Sequence, residues 1–218
     1  MTLGYLKAIY FNQKESGLSD LNKAIDLNPE DSLAYMFRGR VNNLISYTHF
    51  ENNDYQKVIK FSNNAEYDFS KSIEFYKKDF NPYFKRLFPF GYLHYLYASR
   101  GRTKFIQGTI YSYNQIKNKE LSKKFLNSSL SDFDLLIEHA PTLEEVENLK
   151  NPIKLFELDY IKISGYTWKG NTYSQLRKFA SACKNYKKVS KFEKSLDYDV
   201  FKKYPSIQDG WSKYQLCR

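Results

Sequence analysis

An all-α fold of about eight to eleven helices, paired into repeating hairpins, is predicted by three features of this chain. Apolar residues recur at steps of three and four, the period of a helix with one buried face, while strand-like alternation is nearly absent. Nine glycines and six prolines punctuate 218 residues, which leaves room for that many helices and short turns. The hexapeptide Tyr35-Met36-Phe37-Arg38-Gly39-Arg40 returns as Tyr97-Ala98-Ser99-Arg100-Gly101-Arg102, 62 residues later. No Gly/Ser linker, charge block or low-complexity tract divides the chain, so residues 1–218 read as one domain.

The elements follow in order. Met1-Thr2-Leu3-Gly4 has neither the basic start nor the apolar stretch of a signal peptide, so a cytoplasmic location is expected. Leu3-Gly4 already reads as the middle of a helix, which leaves open a missing stretch ahead of it. A helix through Leu21, Ala24 and Ile25 stops at Asn28-Pro29, and the next carries Tyr35 and Gly39. From Asp54, a fair N-cap, the set Tyr55, Val58, Ile59, Ser62, Ala65, Phe69, Ile73 and Tyr76 traces one face of a long amphipathic helix. Leu87 to Ala98 is the most apolar stretch. Pro89 and Gly91 break it, and it falls short of the roughly 18 residues a membrane span needs, so it reads as a buried connector and helix start. Leu121, Phe125, Leu126, Ser129, Phe133, Leu136 and Ile137 mark another helix, ended by Ala140-Pro141 because proline lacks the next backbone donor. Glu144, Glu145 and Glu147 form an acidic first turn after Pro141, where the helix dipole favours them.

Repetition extends beyond the hexapeptide. Gly165 follows Gly101 by 64 residues and is flanked by Tyr160, Ile161 and Trp168. The partner segments Asp20-Leu21-Asn22-Lys23, Asp68-Phe69-Ser70-Lys71, Asp132-Phe133-Asp134-Leu135 and Asn185-Tyr186-Lys187-Lys188 also align. Glycine lets two antiparallel helices approach closely, and aromatic knobs fill the space between hairpins, so each repeat depends on its neighbour.

Leu18 to Arg40 resembles the junction between two tetratricopeptide repeats. In that family a helix ends at Asx-Pro, and the next opens with an aromatic residue four positions before a glycine; Asn28-Pro29, Tyr35 and Gly39 hold those places. The resemblance covers most of the chain and is strongest over 17–44. It implies a right-handed solenoid with repeat cores near 3–29, 31–78, 90–141 and 152–191 and capping helices over 195–217. The family repeat is about 34 residues. Spacings of 62 and 64, with 30 residues from Gly39 to Phe69 and 32 from Gly101 to Phe133, therefore imply unusually long helices. Ala182-Cys183-Lys184-Asn185-Tyr186-Lys187-Lys188 is similar to the last hairpin of some bacterial members, which open it with Ala-Cys-x-Asp-Trp-x-Lys and end on a cysteine. That likeness brings Cys183 and Cys217 within reach of each other. A bridge there would contribute about 3 to 4 kcal/mol in an oxidising compartment. With no export signal, two reduced and partly buried thiols are the expected state.

Enzymatic readings lack their residues. His49, His94 and His139 are far apart and outside any metal-ligand spacing, no Cys-x-x-Cys occurs, and no nucleophile elbow or phosphate-binding glycine loop is present. No cofactor or metal is expected. Recognition is what remains. The first helix of each family hairpin lines a groove, and by that carry-over Arg40, Asn43, Arg102, Phe105, Lys162, Tyr166 and Lys169 point into it. Arginine and asparagine there would grip a carboxylate or backbone amides, and aromatic faces would pack the ligand's apolar side chains. The family's carboxylate clamp places asparagine where this chain has Arg40, Arg102 or Tyr166, so a chaperone-tail clamp is not supported. Arg38 and Arg100 have a purely structural reading, as bridges to acidic neighbours.

The expected function is a non-enzymatic protein-binding scaffold holding a peptide or partner helix of acidic character. The alternative is a helical-repeat binder of single-stranded RNA, motivated by the net charge of +10 and by aromatic residues for stacking. That charge is spread widely and clusters only mildly at Lys184, Lys187, Lys188, Lys191 and Lys194, where a solvated helix face is the favoured reading. A mean hydropathy of −0.65 argues against a membrane protein.

Overall fold

The structure, a computed structural model, describes residues 2–76, 88, 91–113, 116–142, 153–190 and 205–217. Most of the Leu87 connector, Glu144, Glu145, Glu147, Lys191, Lys194 and the first part of the capping region lie outside the described residues. The described residues are mostly helical, with no strand among them. In order they are α1 (Thr2–Tyr10), α2 (Lys14–Leu27), α3 (Ser32–Glu51), α4 (Tyr55–Glu74), α5 (Leu93–Ile110), α6 (Lys119–Glu138), α7 (Ile153–Gln175), α8 (Phe179–Ser190) and α9 (Pro205–Gln215). No described helix is long and apolar enough to cross a membrane.

The local signals explain the boundaries. α2 stops just before Asn28-Pro29, and Asp31 starts α3 by accepting the backbone N–H groups of Leu33 at 3.0 Å and Ala34 at 3.1 Å. Asp54 caps α4 through the Lys57 N–H, and Val58, Ser62, Ala65 and Phe69 of the predicted face are buried. Asn118 does the same for α6 at Leu121, and Leu126, Ser129, Phe133 and Leu136 are buried along it. α3, α4 and α6 each run 20 residues, which accommodates the wide glycine spacing.

Three helix pairs share one turn. Phe11–Gln13, Asn52–Asp54 and Leu176–Lys178 each join two helices through three residues, and the middle one is left-handed: Asn12 at φ 53°, Asn53 at φ 57° and Arg177 at φ 58°. In two of them the helix end is closed in the same way. The Asp54 N–H bonds His49 O at 2.9 Å and the Lys178 N–H bonds Tyr173 O at 2.8 Å, a six-to-one bond that satisfies a terminal carbonyl. Asparagine tolerates this conformation; arginine has no such excuse.

The chain divides into two compact units, 1–125 and 126–218, with the boundary inside α6. In the first unit α3 and α4 run antiparallel, since Ser32 meets Ser72, Gly39 meets Phe69 and Ser46 meets Ser62. Ser32 Oγ donates to Ser72 O at 2.6 Å, Ser72 Oγ returns a bond to Ser32 O at 2.7 Å, and the Tyr92 hydroxyl donates to Ser32 Oγ at 3.0 Å, tying in the start of α5. Leu21, Met36, Val41, Ala65, Phe69 and Leu96 form the core beneath. In the second unit α7 lies between α6 and α8. Phe133 stacks on Trp168, and the Tyr186 hydroxyl donates to Asn171 Oδ1 at 2.8 Å.

The glycines mark close approach, with one correction. A Cβ on Gly39 would sit 3.0 Å from Phe69 Cε1 and 3.2 Å from Asp68 Cβ, so the small residue lets α4 in. Gly4 meets Asp20 and Leu21 in the same way, which makes Gly4, Asp20 and Leu21 the first-hairpin counterparts of Gly39, Asp68 and Phe69. Gly165, aligned with them on spacing, does not take that place. It faces Ile137 and Leu136 of the preceding α6, while Gly170 receives the Tyr186 ring of its own hairpin.

Candidate functional site

One side of the first unit is built from α1, α3 and α5. The Tyr5 ring on α1 stacks on Phe37 of α3 with centroids 4.6 Å apart. The Arg40 guanidinium carbon lies 4.8 Å from the Tyr5 centroid and 5.3 Å from that of Tyr95 on α5. Three alternate helices, α1, α3 and α5, thus meet through two aromatic rings and one cation. No described residue accepts a hydrogen bond from Arg40, so its planar head is held in place while its donors stay available. Burial raises the Tyr5 phenol above its usual range, and the nearby Arg40 charge pulls it partly back.

The other predicted residues have different surroundings. Asn43, one turn along α3, exchanges bonds with Thr103 on α5: its Nδ2 donates to Thr103 Oγ1 at 2.9 Å, and its Oδ1 lies 3.0 Å from the same hydroxyl. It is a strut between helices. Arg102 is half-buried on α5 and turns Nε back to Ala98 O at 3.2 Å. Phe105 is half-buried on the same helix. In the second unit Lys162 is half-buried on α7, the Lys188 ammonium sits 4.7 Å from the Tyr166 ring centroid, and Lys169 pairs with Asp134 of α6. Because Gly170 is the packing glycine, the position matching Arg40 is Asn171. Its Nδ2 donates to Asp209 Oδ2 at 3.0 Å and its Oδ1 accepts from Lys213 at 2.8 Å, both from α9. The structure therefore gathers Arg40, Asn43 and Arg102 on α3 and α5, and of the three Arg40 alone spends no hydrogen bond within the described residues.

Beneath this face lies a polar network that spacing did not reveal. Arg38 grips Asp68 side-on, Nη2 to Oδ1 at 2.6 Å and Nε to Oδ1 at 3.0 Å, and sends Nη1 to Asn22 Oδ1 of α2 at 2.8 Å. Asn42 Nδ2 donates to the other carboxylate oxygen, Asp68 Oδ2, at 2.9 Å. Burial pushes the Asp68 carboxyl above the usual carboxylate range despite the pull of Arg38 and Asn42. The arrangement recurs: Lys7 pairs with Asp20 at 2.7 Å as Asn42 does with Asp68, and Arg100 reaches back to Ser70 at 3.2 Å as Arg38 does to Asn22. The bridging role weighed for Arg38 is thus present. The legible signal was the Asp-x-Asn and Asp-x-Ser of the partner helices, which named the acceptors but not their donors.

At the end of the second unit the sulfurs of Cys183 and Cys217 are bonded, with Cα atoms 5.6 Å apart. This corrects the expectation of two reduced thiols. Reduced cysteines were inferred from the start of the chain, whereas the fold brings α8 and the residues after α9 to bonding distance. Among the described residues no group of histidine, cysteine and carboxylate side chains is arranged to hold a metal.

No protein-family model matches the chain, and no curated protein matches its sequence.

Proposed function

We propose that the protein is a non-enzymatic scaffold of tetratricopeptide-like helical hairpins that holds an acidic peptide or partner helix against the α1, α3 and α5 face. The observation that carries this reading is Arg40: a guanidinium oriented by Tyr5 and Tyr95, with no hydrogen bond spent inside the protein. Such a group meets a carboxylate without the entropy cost of first ordering its own side chain, and the flanking rings take apolar atoms of the ligand. The solenoid part of the reading is supported by recurrence. The glycine-to-Asp contact, the Arg link to the preceding helix and the three-residue turn each appear in more than one hairpin.

The test is affinity capture of protein partners with the intact chain and with Arg40→Glu. Charge reversal is expected to weaken capture by about ten-fold or more, a difference near 1.4 kcal/mol. Full retention of every captured protein by Arg40→Glu sinks the reading. The RNA alternative has the net charge behind it and no observed site.

A further inference from the structure

A second cleft, of about 450 Å³, opens between α2 and α4 with α3 as its floor, away from Arg40. That volume lies in the range of small-ligand sites, roughly 300 to 1,000 Å³. Leu18, Phe61 and Tyr67 supply apolar and aromatic walls, Asn22, Asn42 and Asn64 supply amides, and Arg38, Lys60 and Asp68 supply charge. Arg38 uses Nε, one Nη2 proton and one Nη1 proton on Asp68 and Asn22. A guanidinium has five N–H donors, so two remain. Asp68 locks the fork from behind, and its own charge is sealed away at 1 % exposure. Lys60 is exposed, carries no ion pair, and lies 5.8 Å from the Phe61 ring centroid. Asn42 spends its amide nitrogen on Asp68 and leaves its carbonyl oxygen without a donor. The cleft therefore presents an exposed cation without an ion pair, a fixed fork and amide groups of both hydrogen-bonding senses between apolar walls.

We propose that this cleft binds the carboxylate of an acidic peptide segment, with Lys60 and the two remaining Arg38 N–H groups on the carboxylate and Phe61 and Tyr67 against the neighbouring apolar side chain. The amides of Asn22 and Asn64 take the peptide backbone. The choice of a peptide rests on the scaffold reading above, but the site is separate from the Arg40 face. Its walls are the second helices of two hairpins, α2 and α4, where no ligand residue was expected, and its floor is α3.

The experiment titrates the whole chain, at low salt, with a dye-labelled, end-blocked hexapeptide of alternating glutamate and leucine, read by fluorescence anisotropy. Lys60→Met and Lys60→Glu are surface changes, and an unaltered helical circular dichroism confirms that each is folded. The expected result is a graded loss, at least ten-fold for Lys60→Glu, with Lys123→Glu, the same charge change at an exposed lysine of α6 outside the cleft, binding this probe as the parent does. The side-chain amide signals of Asn22 and Asn64 should move in the nuclear magnetic resonance spectrum as the peptide is added. Unchanged binding by Lys60→Glu, equal binding of the glutamine-for-glutamate peptide, static Asn signals or no binding by the parent chain would each overturn the proposal. Equal loss in Lys123→Glu overturns the cleft by showing bulk charge alone, and the scaffold reading then still stands or falls on the capture experiment with Arg40→Glu.

Discussion

Asp68 receives the Arg38 guanidinium side-on at 2.6 Å while its side chain is 1 % exposed. Removing one partner strands a buried charge, so Arg38→Met is expected to cost about 3 to 5 kcal/mol in urea unfolding followed by circular dichroism. Because burial already raises the Asp68 carboxyl, the ion pair itself gains little over an apolar pair of similar volume. The double variant Arg38→Met with Asp68→Leu should therefore recover most of the loss. A double variant as unstable as the single would show that the charges, and not their separation, sustain this junction.

Gly170 faces the ring of Tyr186, which is 4 % exposed and hydrogen-bonded to Asn171. A methyl group there forces the ring aside. Gly170→Ala is expected to destabilise by about 1 to 3 kcal/mol, less the roughly 1 kcal/mol that alanine returns through helix propensity. Both tryptophans of the chain, Trp168 and Trp211, fall in the second unit, so tryptophan fluorescence reports its unfolding selectively. A midpoint unchanged or raised would remove Gly170 from its assigned place.

Arg177 sits at φ 58° in a turn whose two counterparts use asparagine. The left-handed conformation costs an ordinary residue about 1 to 2 kcal/mol. Arg177→Asn is expected to raise the stability of the second unit by roughly half that amount, read by the same fluorescence. A loss would mean that the arginine side chain contributes more than its backbone costs.

The bond between Cys183 and Cys217 closes a separation of 34 residues. Reduction with excess dithiothreitol is expected to lower the stability of the second unit by about 3 to 4 kcal/mol, and Cys217→Ser should match the reduced parent. Mass spectrometry of the intact chain after maleimide treatment, without reductant, should find no label. Two labels would return the cysteines to the reduced state.

Burial raises the phenol of Tyr186, with the Asp209 charge adding to it, and burial also raises those of Tyr5, Tyr35, Tyr76 and Tyr92. Above about pH 10, where free tyrosine ionises, the folded chain keeps protons that the unfolded chain has lost. Stability is then fully present below that pH and falls as pH rises through it. Phenolate absorbance should lag in the native protein and jump on alkaline unfolding. Simultaneous ionisation of every tyrosine near pH 10 in folded protein contradicts the burial.

The helix ends and buried faces were legible because they depend on neighbours in sequence. Asp54 caps the helix it precedes, and Val58, Ser62, Ala65 and Phe69 share a face by period alone. The fourth hairpin was misaligned for a physical reason. Gly165 and Gly170 are five residues apart, which turns them about 140° around one helix. Each therefore faces a different neighbour, and equal spacing selected the wrong one. Arg40 was legible from its place beside Gly39, whereas the Tyr5 and Tyr95 rings that orient it come from helices far off in sequence. The nearness of Cys183 and Cys217 was legible from the likeness of the last hairpin, whereas their oxidation state was not, because neither spacing nor composition states whether two neighbouring thiols are joined.

The hydroxyl clasp of Ser32, Ser72 and Tyr92 pins both banks of the stretch between α4 and α5, and the rings of Tyr76 and Tyr92 meet edge-on with centroids 4.9 Å apart across it. Because Ser32, Ser72 and Tyr92 sit on or beside three different helices, freeing one of these hydroxyls slackens α3, α4 and the start of α5 together.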